Sequence, residues 1–127
     1  MEIKIVKNPI SKKELLEIAK EEFGDLVKAV VDIEQGIMAI GGELHADEEV
    51  LLMEQYGSKR ECTWGINLYP VRNDISNGVY PKRTEDDWIE FDSMINLKPA
   101  YGNRIRGIEN SEIKEKIKKI VKKLVFD

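Results

Sequence analysis

The stretch from Val27 to Tyr56 constrains the fold more than any other part of the chain. Val27 to Ile33 is rich in β-branched residues, which suit a pleated surface better than a helix. Val27, Ala29, Val31 and Ile33 fall on one side of such a strand and are expected to face the core. Lys28 and Asp32 fall on the other side, with Val30 between them. Glu34, Gln35 and Gly36 leave room only for a short hairpin connection, with Gly36 available for a positive φ. Ile37 to Ile40 is then a returning strand, apolar throughout and so central in a sheet. Gly41 and Gly42 end it. A helix is expected from about Asp47 to Tyr56, with Asp47 as its N-cap and Glu48 and Glu49 at the positive end of its dipole. Gly57 and Ser58 stop it.

The flanking segments fit around this unit. Residues 2–6 alternate as a short edge strand, and Asn8-Pro9 breaks the chain. Ser11 and Glu14 form a capping box before Leu15, Ile18, Ala19 and Phe23, which recur at helical spacing. Gly24 is placed to end that helix. Thr63 to Tyr69 reads as a third strand, with Trp64, Ile66 and Leu68 on one face and Gly65, Asn67 and Tyr69 on the other. Residues 71–87 have no clean period and read as a polar loop, or a loop holding a hairpin at Asn77-Gly78. Trp88 to Leu97 reads as a fourth strand, and Pro99 to Gly107 as a loop. Ile113, Ile117, Ile120, Val121 and Leu124 form the buried stripe of a last helix from about Ser111 to Val125. The order α-β-β-α-β-β-α with short connections predicts an α+β fold. It is a mainly antiparallel sheet of about four strands packed with three helices, with residues 1–127 as one domain.

Composition narrows the function classes. Hydrophobic residues at 42% and charged residues at 35% suit a chain with one hydrophobic core. A formal net charge of −4 does not favour a nucleic-acid backbone. The six lysines Lys114, Lys116, Lys118, Lys119, Lys122 and Lys123 accordingly read as a solvated helix face. No run approaches the roughly 20 apolar residues that span a bilayer, so no membrane partner is expected. The N-terminal residues lack a signal-peptide pattern, and Cys62 stands alone, which excludes an intramolecular disulfide or a Cys-rich metal site. These features point to the cytoplasm. Abundant Lys, Glu and Ile, with Gln only at Gln35 and Gln55, resemble proteins of hot-living organisms. A homo-oligomer joined at a sheet edge is compatible with the pattern, and no partner is specified by it.

Three clusters could carry chemistry. Past the glycines, an extended chain would point Glu43, His45 and Asp47 to one side. That set has suitable metal ligands and would hold a divalent ion, the one cofactor the sequence suggests; alternatively His45 is a general base. The ordinary reading makes Asp47 a cap, Glu43 a solvated or paired group, and His45 a residue at a helix entrance. Asn103, Arg104 and Arg106 precede the last helix, where two guanidiniums could hold a phosphate or carboxylate. Their ordinary reading is pairing with nearby carboxylates, Glu43, Asp47, Glu48, Asp92 or Glu109. Finally, Asn67, Tyr69, Glu90, Asp92 and Asn96 could converge on one sheet face, either as a pocket or as a solvated surface. Asp92 is the best additional catalytic carboxylate beside His45.

The segments Val27–Glu49, Trp64–Pro70, Trp88–Asn96 and Gly102–Gly107 resemble a family of short, uncharacterised prokaryotic proteins, a domain of unknown function. The resemblance covers most of the chain and implies no activity. The family pattern has a small polar residue where Ile105 stands and Pro where Ser111 stands, so the Arg-x-Arg loop is less polar here. The function expected first is a small binding or accessory domain without catalysis and without a deep pocket at His45. The alternative is a small enzyme or metal-binding protein with a polar site at Glu43, His45 and Asp47 and an anion-holding loop at Arg104 and Arg106.

Overall fold

A computed structural model describes residues 2–70 and 88–127. The hairpin forms as expected. Strand β3 (Val27–Asp32) pairs antiparallel with β4 (Ile37–Ile40), and Gly36 sits at φ +70° in the turn. Asp32 fixes that turn: its Oδ1 accepts the backbone N–H groups of Glu34 and Gln35 at 2.9 and 3.0 Å. Strand β1 (Lys4–Val6) adds to the far side of β4, and β5 (Thr63–Leu68) pairs with β3. A two-residue strand β6 (Ile89–Glu90) completes a five-stranded antiparallel sheet of order β1-β4-β3-β5-β6. A separate parallel pair, which the sequence pattern does not signal, joins β2 (Ile10–Ser11) to β7 (Val125–Phe126).

Both faces of the sheet are covered. On one face Val27, Ala29, Val31, Met38, Ile40, Trp64, Ile66 and Leu68 meet Leu15 and Ala19 of α1 (Lys12–Glu21) and Ile117, Val121 and Leu124 of α3 (Ser111–Leu124). Ser11 caps α1 by accepting the Glu14 N–H at 3.1 Å, while the Glu14 carboxylate pairs with Lys4 rather than reaching back to the cap. Asn110 caps α3 through the N–H groups of Glu112 and Ile113. On the other face Val30, Ile37 and Ala39 pack with Leu52 of α2 (His45–Tyr56) and with Ile95. This face therefore also carries a second, smaller apolar layer.

Two expectations are corrected. The fourth strand does not run from Trp88 to Leu97. It stops at Glu90, and Met94–Asn96 form a 3₁₀ turn that lies over the sheet at Gly65. The reason is local. A Cβ on Gly65 would lie 2.6 Å from the Ser93 Cβ, so only glycine lets this segment approach. Asn96 then acts as a substitute strand partner, accepting the Gly65 N–H at 2.8 Å and donating to the Gly65 carbonyl at 2.9 Å. Secondly, α2 begins at His45, not Asp47; its N-cap is Leu44, with no capping side chain. The loop or hairpin expected over residues 71–87 lies outside the described residues.

Candidate functional site

The connection from β4 to α2 is shaped by a buried carboxyl. Glu48 has no solvent exposure, and its Oε2 accepts the Gly42 N–H at 2.9 Å. A Cβ at Gly42 would meet the Glu48 side chain at 2.9 Å, so glycine is needed for this contact. Burial pushes the Glu48 carboxyl well above its ordinary range, only partly offset by the Gly42 hydrogen bond. This anchor sets where α2 starts and so where His45 points.

His45 is buried, and its Nε2 lies 2.8 Å from the Ile66 carbonyl. A carbonyl only accepts, so Nε2 carries the hydrogen and Nδ1 holds the lone pair of the neutral ring. Burial pulls the His45 pKa below its ordinary value, and nearby Lys28 acts in the same direction. The Ile66 hydrogen bond, the Asp92 charge and the Asn67 side chain oppose it. Asn67 donates through Nδ2 to Glu90 at 2.9 Å and to the Asp92 carbonyl at 3.3 Å, which leaves its buried Oδ1 without a partner.

These groups line a cleft of about 200 Å³. Lys28 and Asn67, register partners on β3 and β5, form its floor with His45. Asp92 and Arg106, joined by an ion pair of 2.8 Å between Nε and Oδ1, form one side. Leu44, Ala46, Met94 and Ile95 contribute apolar walls. Lys28 makes no ion pair among the described residues; its Nζ lies 5.3 Å from the centroid of the Phe23 ring.

The structure thus brings His45, Asp92 and Arg106 together from segments far apart in sequence. It does not bring Glu43, His45 and Asp47 together. Among the described residues no three His, Cys, Asp or Glu side chains gather closely enough to share a metal ion. Because the helix already starts at His45, Asp47 lies about 200° around the axis from it instead of on the same side, and Glu43 and Asp47 are both exposed. Asn103 is buried and organises its own loop: Nδ2 reaches the carbonyls of Asn96, Ile105 and Gly107 within 3.0 Å, and Oδ1 accepts the Glu109 N–H. The Arg104 backbone N–H donates to the Glu109 carboxylate at 2.8 Å, and Arg104 does not line the cleft. Glu90 holds Asn67 and the Tyr69 hydroxyl, the latter at 3.0 Å, so three members of the expected polar face do converge, beside the cleft. Lys28 was not among the sequence candidates. Its signal is a lone cation on the side of β3 opposite the main core, where its strand neighbour Val30 is buried.

Against known families, residues 4–124 match the one described as protein of unknown function, DUF5674. The chain belongs to the DUF5674 family. No curated protein and no solved structure matches it. Membership in DUF5674 agrees with the resemblance seen in the sequence and assigns no chemistry, so the cleft is interpreted from its own geometry. No helix among the described residues is long and apolar enough to cross a membrane.

Proposed function

We propose that this protein is a small binding domain that holds an anionic small molecule in the His45 cleft. The observation that carries the reading is Lys28, a cation with no ion-pair partner among the described residues, lining a cleft beside Arg106. Arg106 spends one edge on Asp92 and His45 is neutral, so the cleft has a net charge of about +1 in a chain of net charge −4. The start of α2, without a capping side chain, adds its positive dipole end next to Leu44, His45 and Ala46. The unpaired Cys62 supports a reducing, cytoplasmic setting.

A chemical-shift titration with acetate, phosphate and neutral acetamide tests this reading. The anions are expected to shift the His45, Ala46 and Asn67 amides, acetamide is not, and Lys28→Gln is expected to abolish the effect. Equal shifts from acetamide, or anion shifts untouched by Lys28→Gln, would overturn it.

A second reading, proton-transfer catalysis, is favoured by one observation: the Ile66 carbonyl holds the Nε2 hydrogen and frees Nδ1 as a base. In that reading Lys28 and Arg106 hold the substrate anion. Turnover of a bound acid that disappears in His45→Gln, with binding retained, would select it.

A further inference from the structure

We infer that the ligand is a small monocarboxylate with a hydrogen-bond donor beside its carboxylate and a short apolar chain. The inference rests on the anion reading above and assigns the remaining walls of the same cleft. Lys28 and Arg106 take the carboxylate, and a net charge of about +1 matches a single carboxylate better than the −1.5 to −2 or so of a phosphate monoester. Asn67 Oδ1 is a buried acceptor with no donor, on a cleft-lining side chain only 8% exposed. A carboxylate cannot satisfy an acceptor, so the ligand supplies a hydroxyl or an ammonium there. An unmet buried acceptor is costly, which is why a site built this way discriminates strongly against an analogue lacking the donor.

The apolar walls select the chain. Leu44 and Met94 are 55% and 64% exposed, come from separate segments, and face the same opening. A single exposed leucine is ordinary, but two large apolar side chains beside paired cations form a wall, and methionine adapts to a chain of variable shape. The volume of about 200 Å³ lies below the roughly 300 Å³ at which drug-sized ligands begin, so the part of the ligand that the cleft encloses is small.

The test is a set of shift titrations with 2-hydroxyisovalerate, valine, isovalerate, lactate and alanine, on the wild type and on a Leu44→Ser/Met94→Ser variant. Both substituted positions are exposed, so the variant is expected to fold. Either 2-hydroxyisovalerate or valine is expected to bind about tenfold tighter than isovalerate, and whichever does so identifies the donor as hydroxyl or ammonium. The same compound is expected to exceed lactate or alanine by about fourfold for each added methylene, an advantage the double variant loses. Isovalerate binding as tightly as both donor-bearing acids, or a chain advantage that survives in the variant, would overturn the inference and leave the anion reading standing. If 2-hydroxyisovaleramide, which lacks the charge, binds as well as the acid, the anion reading itself falls.

Discussion

Glu48 is a carboxyl group with no exposure to water and one hydrogen-bond donor, the Gly42 N–H, while its Oε1 is buried without a partner. Its pKa is raised above 4.5 in the folded chain, first by burial. The unfolded chain therefore releases this proton at lower pH than the folded one. The stabilising contribution is full below about 4.5 and is lost as pH rises through the folded value. Glu48→Gln keeps an acceptor for Gly42 and has no proton to lose. Its stability relative to wild type is expected to grow as pH rises, measured by urea unfolding from about pH 4 to about pH 8; a constant difference would refute the neutral carboxyl. His45 acts with the opposite sign. Its folded pKa is lowered from 6.5, so its contribution is full above 6.5 and is lost as pH falls through the folded value. An imidazole titration followed by NMR is expected to show a midpoint below 6.5, moving upward in Lys28→Gln because one nearby positive charge is gone.

At the scale of elements, the segment from Phe91 to Gly107 is held by side-chain amides where a strand would use its backbone. Asn96 exchanges two hydrogen bonds with Gly65 and donates a third, at 2.9 Å, to the Arg106 carbonyl. Asn96→Ala strands the buried Gly65 N–H and carbonyl, while the Arg106 carbonyl keeps the Ser93 N–H at 3.0 Å; at about 1–3 kcal/mol for each group left unsatisfied, a loss of roughly 2–6 kcal/mol is expected. Because Arg106 and Asp92 ride on this segment, anion affinity should fall with it, and the Gly65 amide should lose hydrogen-exchange protection. Retained protection would show that water or another group replaces the amide. The same segment explains what was legible in the sequence. The hairpin and α3 announce themselves by period, because Val27 to Ile40 and Ile113 to Leu124 repeat at the spacing of their own structure. Residues 88–97 alternate almost as well, yet leave the sheet after Glu90. Glycine at position 65 and amides at 96 and 103 decide that, and no local pattern encodes their pairing. The site was legible as residue types: His45, Asp92 and Arg106 were candidates. Their meeting, and the part played by Lys28, depend on register between strands distant in sequence.

At the scale of the whole molecule, the cleft exists only while α2 and the Phe91–Gly107 segment lie side by side on the sheet, and a buried ion pair ties them. The Lys98 ammonium lies 3.1 Å from Glu49 Oε2, with side chains 2% and 7% exposed, and the same oxygen accepts the Thr63 hydroxyl at 2.5 Å. Burial lowers the Lys98 pKa, and Glu49 opposes that shift. Such a pair is a poor source of net stability, but breaking it from one side leaves a buried charge alone. Lys98→Met is expected to cost about 3–5 kcal/mol and to weaken anion binding, since α2 carries His45 and the other segment carries Arg106. Adding Glu49→Leu removes the orphaned carboxylate, and Thr63 keeps the Arg60 carbonyl as a second acceptor at 3.2 Å. The double variant should therefore recover most of the stability in a urea titration. If docking alone positions the cleft, affinity recovers with stability. If the ion pair sets the register of the two segments, stability returns while affinity stays low, and the cleft is then a property of that one buried contact.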